Sequence, residues 1–174
     1  DASVLTVAGQ IVAEEHIPIE RTLPPEQALG LITRAMDGML QKAGIPHGAL
    51  VAGGVCFGCA IDPEAGVILD SISNQFEDPR WVGFPFVEEL QRAYGVRFYA
   101  ETGANASCVG EYIFGQAQEK RRVCVVFGGY TSCRNGTMTD GRILRAASHL
   151  DTTLGHMVVK SGGEKCVCGN YGCV

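Results

Sequence analysis

The chain has 174 residues, of which 46% are hydrophobic and 19% are charged, so it can form a buried core and is not intrinsically disordered. Its formal net charge of −5, with Lys and Arg thinly spread, argues against direct contact with nucleic acid. Apolar runs fall short of the roughly 20 residues that span a bilayer, and the first residues lack the layout of a signal peptide. We therefore expect one or two compact domains, a cytoplasmic location and no membrane contact.

The first part of the chain alternates between strand-like and helix-like runs. Short strands at residues 4–8 and 11–15 are predicted to form a hairpin through a tight turn at Gly9-Gln10. A helix is predicted from Pro24 to Gly44, because apolar side chains recur at helical spacing between these two residues. The next predicted elements are a buried strand at 50–57, a turn at 62–66, a strand at 67–70, a helix at 85–94 and a strand at 96–100.

The second part continues the same alternation. A helix is predicted at residues 105–115 and a strand at 122–127, and the glycine-rich stretch 128–141 should contain the turns of a hairpin. Strands that alternate with helices along the whole chain are typical of an α/β sheet. The predicted fold class is therefore α/β.

Four potential metal ligands are concentrated near the end of the sequence. His156 is followed by Cys166, Cys168 and Cys173, and one imidazole with three thiolates forms a closed tetrahedral set for zinc. The glycines between Cys168 and Cys173 allow the chain to turn back toward the same ion. Such a site has no open position for water, so the predicted zinc is structural. Two alternatives are buried thiols beside a hydrogen-bonded histidine, and disulfides, which a cytosolic setting disfavours.

The other five cysteines are interpreted as packing residues. Cys56 and Cys59 form a Cys-x-x-Cys motif that could indicate redox chemistry, but no adjacent charge would lower a thiol pKa, so core packing is the better interpretation. Cys108, Cys124 and Cys133 are expected to act as small apolar fillers.

Several segments resemble the ROK family, which is named after repressors, open reading frames and kinases. The segment Gly155-His156-Met157 and the cysteine run 166–173 resemble the family's zinc motif. Further similar segments are Glu101-Thr102-Gly103-Ala104-Asn105-Ala106, Gly110-Glu111-Tyr112-Ile113-Phe114-Gly115, Gly141-Arg142-Ile143-Leu144-Arg145 and Asp62-Pro63-Glu64-Ala65-Gly66.

The resemblance implies an actin-like, or ribonuclease-H-like, ATPase fold in which sugar binds in a cleft between two lobes. Residues 1–106 would form the N-terminal α/β lobe without its first strand and without the family's first phosphate loop. Residues 107–174 would form the start of the C-terminal lobe, including the zinc-binding segment.

The resemblance fails at the positions that carry catalysis. The family's sugar-binding Asn and catalytic Asp correspond to Thr102 and Gly103, and Gly103 has no side chain that could accept a proton. A further sugar-binding Glu corresponds to Thr153. Asp151 and Glu101 lie two residues from the altered positions, but such a shift along a strand displaces a carboxylate by about 6.6 Å. We therefore assign no catalytic residue.

The family's second phosphate loop is also altered. It corresponds to residues 128–133, where Tyr130 and Cys133 replace small residues and would obstruct the close approach of phosphate to the backbone.

Three residues remain candidates for contact with a ligand. Asn74, Asn105 and His156 are the predicted substrate-binding residues, the last through the ring nitrogen that the metal leaves free. The alternatives are a turn residue for Asn74 and a helix N-cap for Asn105.

Two hypotheses of function follow. In the first, the chain is the sugar-sensing or structural core of a ROK-type transcriptional regulator that has lost kinase activity. In the second, it is an ATP-dependent hexose or amino-sugar kinase that uses another base. A degenerate paralogue that serves only for dimerisation is a third alternative.

The first hypothesis specifies cofactors and partners. Structural zinc is the expected cofactor, and ATP and magnesium are expected only if the chain is a kinase. A sugar effector and a homo-oligomer are the expected partners. DNA would be contacted only through a helix-turn-helix upstream of Asp1.

Overall fold

A computed structural model describes residues 1–70, 76–128, 133–150 and 153–174, which form a mixed α/β structure. Its helices are α1 (Pro25–Ala43), α2 (Phe86–Tyr94) and α3 (Gly103–Ile113), with 3-10 turns at His47–Ala49, Pro79–Trp81 and Leu154–His156. Its strands are β1 (Ala2–Leu5), β2 (Ile11–Glu15), β3 (Gly53–Phe57), β4 (Ala60–Asp62), β5 (Val67–Asp70), β6 (Phe98–Thr102), β7 (Arg122–Gly128), β8 (Cys133–Thr139) and β9 (Arg142–Ile143). The pairs are β1–β2, β3–β6 and β4–β5, and β7, β8 and β9 form a three-stranded sheet.

The first hairpin and the first helix end where backbone chemistry requires. β1 and β2 pair antiparallel, and Gly9 turns the chain with a φ of 81°. β1 stops at Leu5, before the predicted end at residue 8, because Thr6 already serves the turn by accepting the Gly9 amide at 2.9 Å. α1 ends at the left-handed Gly44, as predicted.

The described chain is divided into two compact units. The first comprises Asp1–Val55 and Ile61–Ala100, and the second comprises Cys56–Ala60 and Glu101–Val174. The chain therefore enters the second unit before the predicted lobe boundary at residue 106, because α3 packs on β7 and β8 of that unit. The correspondence of these units to two lobes stays a prediction.

The core of the first unit lies around α1 and α2. Leu40 and Leu90 are almost fully buried, and the Trp81 indole donates to the Leu23 carbonyl at 2.9 Å. The Tyr94 hydroxyl donates to the Thr33 carbonyl at 3.1 Å and lies 3.0 Å from the Asp37 carboxylate. Burial, followed by this carboxylate, raises the pKa of Tyr94, so the phenol stays neutral and α2 is held to α1.

The core of the second unit lies between α3 and the β7–β8–β9 sheet. Cys108 and Met138 are buried there, and a Cβ atom at Gly136 would lie 2.1 Å from the Ala104 carbonyl oxygen. The backbones of β8 and α3 therefore approach each other at a distance that only glycine permits.

The packing interpretation holds for some of the cysteines and is wrong for two. Cys59 and Cys108 are buried, as predicted. Cys56 and Cys124 are exposed among the described residues, because side chains alternate between strand faces and both lie opposite the more buried positions of β3 and β7. For the same reason, the predicted buried strand at 50–57 is only partly buried and begins at Gly53.

Among the described residues, no helix combines the length and apolar character needed to cross a bilayer.

The α3–β8 contact can be tested by Gly136→Ala. The added methyl group would collide with a helix backbone, which yields less readily than a side chain, so we expect the free energy of unfolding to fall by about 1–3 kcal/mol or more. The matched control is Gly128→Ala in the same sheet, where nothing lies within 4 Å of the added atom. Chemical denaturation measures both, and equal stability of the two variants would contradict the close contact.

Candidate metal centre and ligand pocket

The four predicted metal ligands converge in the second unit. His156 lies in the 3-10 turn Leu154–His156, and the three thiols come from the final loop. Gly169 and Gly172 have φ angles of 90° and 74°, which return the chain toward Cys166. The Cys166 amide donates to the Asn170 carbonyl at 2.8 Å and closes the loop.

Two separations between the ligand atoms match those around a single tetrahedral ion. All four ligand atoms lie within 4.8 Å of one another. The Cys168 and Cys173 sulfurs are 3.8 Å apart, and Cys166 Sγ is 3.5 Å from His156 Nδ1. Metal–sulfur bonds of about 2.3 Å and a metal–nitrogen bond of about 2.0 Å at tetrahedral angles require about 3.8 Å and about 3.5 Å. The residues therefore fit a bound metal ion.

The His156 turn is positioned by β8. Asn135 on β8 accepts the Leu154 amide at 3.1 Å through its side-chain oxygen. A Cβ atom at Gly155 would lie 2.5 Å from the Cys133 carbonyl oxygen, so the residue before the histidine must be small.

The thiols differ in acidity. The Cys168 amide donates to the Cys166 thiolate and lowers the pKa of Cys166 to about 7. Desolvation, followed by hydrogen bonds with Cys166 and Cys168, raises the pKa of Cys173 to about 11. One thiolate is therefore stable without a cation, and further deprotonation requires positive charge. Binding of a metal ion must accordingly release protons.

A second feature of this unit is a cavity of about 270 Å³ at the first turn of α3. Its walls include Gly58, Thr102, Gly103, Ala104, Phe127 and Arg134. The Phe127 ring is half exposed and most of the wall is apolar. Gly103 is the position of the predicted missing base, and it contributes no side chain to this wall.

Beside the cavity, Glu101 forms the centre of a hydrogen-bond network. Its Oε1 accepts the Thr102 amide at 2.8 Å and the Asn105 side-chain amide at 3.1 Å. Its Oε2 pairs with the Arg145 guanidinium. This carboxylate is therefore fully engaged in holding the start of α3.

The structure describes two of the three candidate ligand-binding residues, and their role in binding stays a prediction. Asn105 is 1% exposed within α3, and the N-cap is Thr102, whose hydroxyl accepts the Asn105 amide at 3.3 Å. The N-cap alternative for Asn105 is thus wrong, because the helix begins at Gly103. His156 lies with the thiols. The described residues that line the cavity include neither His156 nor Asn105. Asn74 falls outside the described residues.

The sequence interpretation missed Phe127 and Arg134, which line the cavity from β7 and β8. The available signal was a single cation, Arg134, within the glycine-rich stretch 128–141.

The Cys-x-x-Cys motif shows no sign of activation. Although Cys56 is an exposed residue, surrounding protein atoms partly desolvate its thiol, and this desolvation, followed by the negative charge of Glu101, raises the pKa of Cys56, so the thiol stays protonated near neutral pH. Redox reactivity needs the opposite shift.

Fold and site together define an α/β protein with the actin-like ATPase fold. The chain belongs to the ROK family, whose model matches residues 1–174. It is 28% identical to the xylose repressor of Bacillus subtilis over 165 residues, which is 95% of this chain and 41% of the repressor. It is 32% identical to the glucokinase of Thermotoga maritima over 115 residues, which is 66% of this chain and 35% of the enzyme.

A solved structure extends the comparison of the fold. The ROK hexokinase of Thermus thermophilus superposes with a TM-score of 0.76 at 24% identity, over 97% of this chain and 52% of the hexokinase. The chain therefore spans about half, or less, of the length of these relatives. The relatives include both repressors and sugar kinases.

The metal centre should lose its ion on acidification. Protons compete for Cys166 as the pH falls through about 7, and the ion-stabilised thiolate form is favoured above that pH. We expect about one divalent ion per chain after dialysis at pH 8 and progressive loss between pH 7 and 5. Elemental analysis measures the content, and retention that does not depend on pH would contradict thiolate ligation.

A ligand variant provides a second test. Cys168→Ser should weaken metal binding by more than the roughly 10- to 100-fold that losing an outer-shell partner costs, because the donor itself is removed. Cys124→Ser, at an exposed cysteine outside the cluster, is the control. Competition with a chromogenic chelator measures both affinities, and similar values would show that the cluster is not the site.

Proposed function

We propose that this chain is the effector-binding core of a ROK-type transcriptional regulator and that it does not transfer phosphate. The observation that carries the proposal is Gly103 on the wall of the cavity, where the family's kinases have their catalytic Asp. A glycine cannot take the proton from an attacking hydroxyl.

The network around Glu101 supports this proposal. A replacement base would need a carboxylate free to approach a sugar hydroxyl at hydrogen-bond distance. Glu101 is the carboxylate nearest in sequence, and it already accepts two hydrogen bonds and an ion pair. Its role is to hold the start of α3. Asp151, the other carboxylate considered, falls outside the described residues.

The proposed cofactor is structural zinc at His156, Cys166, Cys168 and Cys173. Three thiolates and one imidazole suit zinc, and four protein ligands complete its tetrahedral coordination. When bound, the ion would join the His156 turn to the final loop and would supply no Lewis-acid chemistry. ATP and magnesium are not required.

The proposed partners follow from the regulator class. A sugar-derived effector would bind to this chain, DNA would be contacted through a helix-turn-helix elsewhere in the full-length protein, and the protein would form homo-oligomers. The xylose repressor similarity supports the class but does not identify the sugar.

A kinase is the second candidate, favoured by the 32% identity to a glucokinase. An ATP-coupled assay of the full-length protein against a panel of hexoses and amino sugars separates the two. We expect no sugar-dependent ATP turnover, because the base position is Gly103, and we expect duplex DNA binding that changes when an effector is added.

A ROK glucokinase serves as the positive control for this assay, and zinc content is measured on the same sample. Sugar-dependent ATP turnover would overturn the regulator proposal and favour a kinase that uses another carboxylate. Absence of DNA binding by the full-length protein would equally count against a regulator.

A further inference from the structure

One cationic side chain faces the cavity without a partner. Arg134 extends from β8 and is only partly exposed, and within the described part of the chain its guanidinium makes no hydrogen bond or ion pair. Other arginines of the chain, such as Arg80 and Arg145, are paired with carboxylates. A half-buried guanidinium beside a cavity loses hydration and gains no compensating contact unless an anion binds there.

The described walls of the cavity also lack negative charge. None of the described residues that line it is acidic, and Glu101 nearby is already paired with Arg145. The amides of Gly103 and Ala104 open the 11-residue helix α3, where N–H groups have no intrahelical acceptor. These amides add partial positive charge to the same wall. The full charge of Arg134 remains the main attraction for an anion.

The cavity volume limits the size of the ligand, and the other walls favour the chemistry of its uncharged part. A volume of about 270 Å³ is close to the lower end of the roughly 300–1,000 Å³ range of small-molecule pockets, which limits the ligand to about one hexose-sized ring. The Phe127 ring offers an apolar face, on which the C–H face of a sugar can pack. A neutral sugar would find no carboxylate among the described wall residues to accept its hydroxyl protons.

We infer that this cavity binds a hexose-sized ligand carrying an anionic group, a phosphate monoester or a carboxylate, with the anion held by Arg134. Guanidinium pairs with both groups through two parallel hydrogen bonds. The inference rests on the proposed effector-binding role and specifies the chemical class of the effector.

Calorimetric titration of the full-length protein with four ligands tests the inference. Glucose 6-phosphate and glucuronate carry the two anionic groups on the same ring, glucose is the neutral analogue, and inorganic phosphate is the anion alone. At least one of the anionic sugars should bind tenfold or more tightly than glucose, and its affinity should fall with added NaCl.

Arg134→Gln should reduce the affinity for the anionic sugar by about 10- to 100-fold, because a charge-assisted pair is lost. Arg122→Gln is the matched control, since Arg122 is exposed on β7 of the same sheet and does not line the cavity. Its affinity should stay within about twofold of the wild type. If Arg134→Gln fails to fold, Arg134→Lys replaces it, and this variant should bind with intermediate affinity because it keeps the charge but loses the paired geometry.

The pattern of binding among the four ligands identifies the anionic group and decides whether the inference stands. Binding of glucose 6-phosphate alone indicates a phosphate monoester, and binding of glucuronate as well indicates any anionic sugar. Equal affinity for glucose, binding of inorganic phosphate as tight as that of the sugars, no binding at all, or an unchanged preference in Arg134→Gln would overturn it.

The two proposals can fail separately. A preference for anionic sugars that Arg134→Gln abolishes upholds this inference even if the protein turns over ATP. Absence of that preference, together with DNA binding and no turnover, leaves the regulator proposal standing.

Discussion

The close approach of α3 to β8 is the contact on which both candidate sites depend. Gly136 has no space for a Cβ atom against the Ala104 carbonyl, so helix and strand are held backbone to backbone. The first turn of α3 and Arg134 of β8 thereby become walls of one cavity. The same strand supplies Asn135, whose side chain accepts the Leu154 amide and so orients the turn that carries His156. Cavity and metal cluster therefore share a single strand as their support.

Local chemistry made much of this fold predictable. Gly44 and Gly95 end helices in left-handed conformations where the sequence indicated, and β2 has the predicted limits. The convergence of His156 with the three cysteines was predictable because the three thiols lie within one short loop. Arg134 and Phe127 were not, because only tertiary packing brings β7 and β8 to the first turn of α3. The exposure of Cys56 and Cys124 was missed because the sequence does not show which face of each strand packs against the core.

The start of α3 is held by its own side chains. Thr102 caps the helix and Glu101 ties it to Arg145. Under the proposed function, these contacts remain while the family's Asn and Asp are absent from this turn. Among the described residues, the cavity wall has no carboxylate and the Arg134 guanidinium has no partner. Such a wall would favour binding of an anion over removal of a proton.

The final loop has a further consequence for the life of the protein in a cell. From residue 153 onward, the described chain contains one 3-10 turn and two isolated β-bridges that involve this segment, with no longer helix or strand. Backbone hydrogen bonds, such as that from the Val159 amide to the Gly172 carbonyl, hold part of this segment, and an ion bound at the cluster would add a constraint by joining the His156 turn to the final loop. Under the proposed zinc binding, a molecule synthesised under metal starvation would lack that constraint, so the segment would open more readily to proteases. Metal supply would then affect the abundance of the protein through its degradation rate.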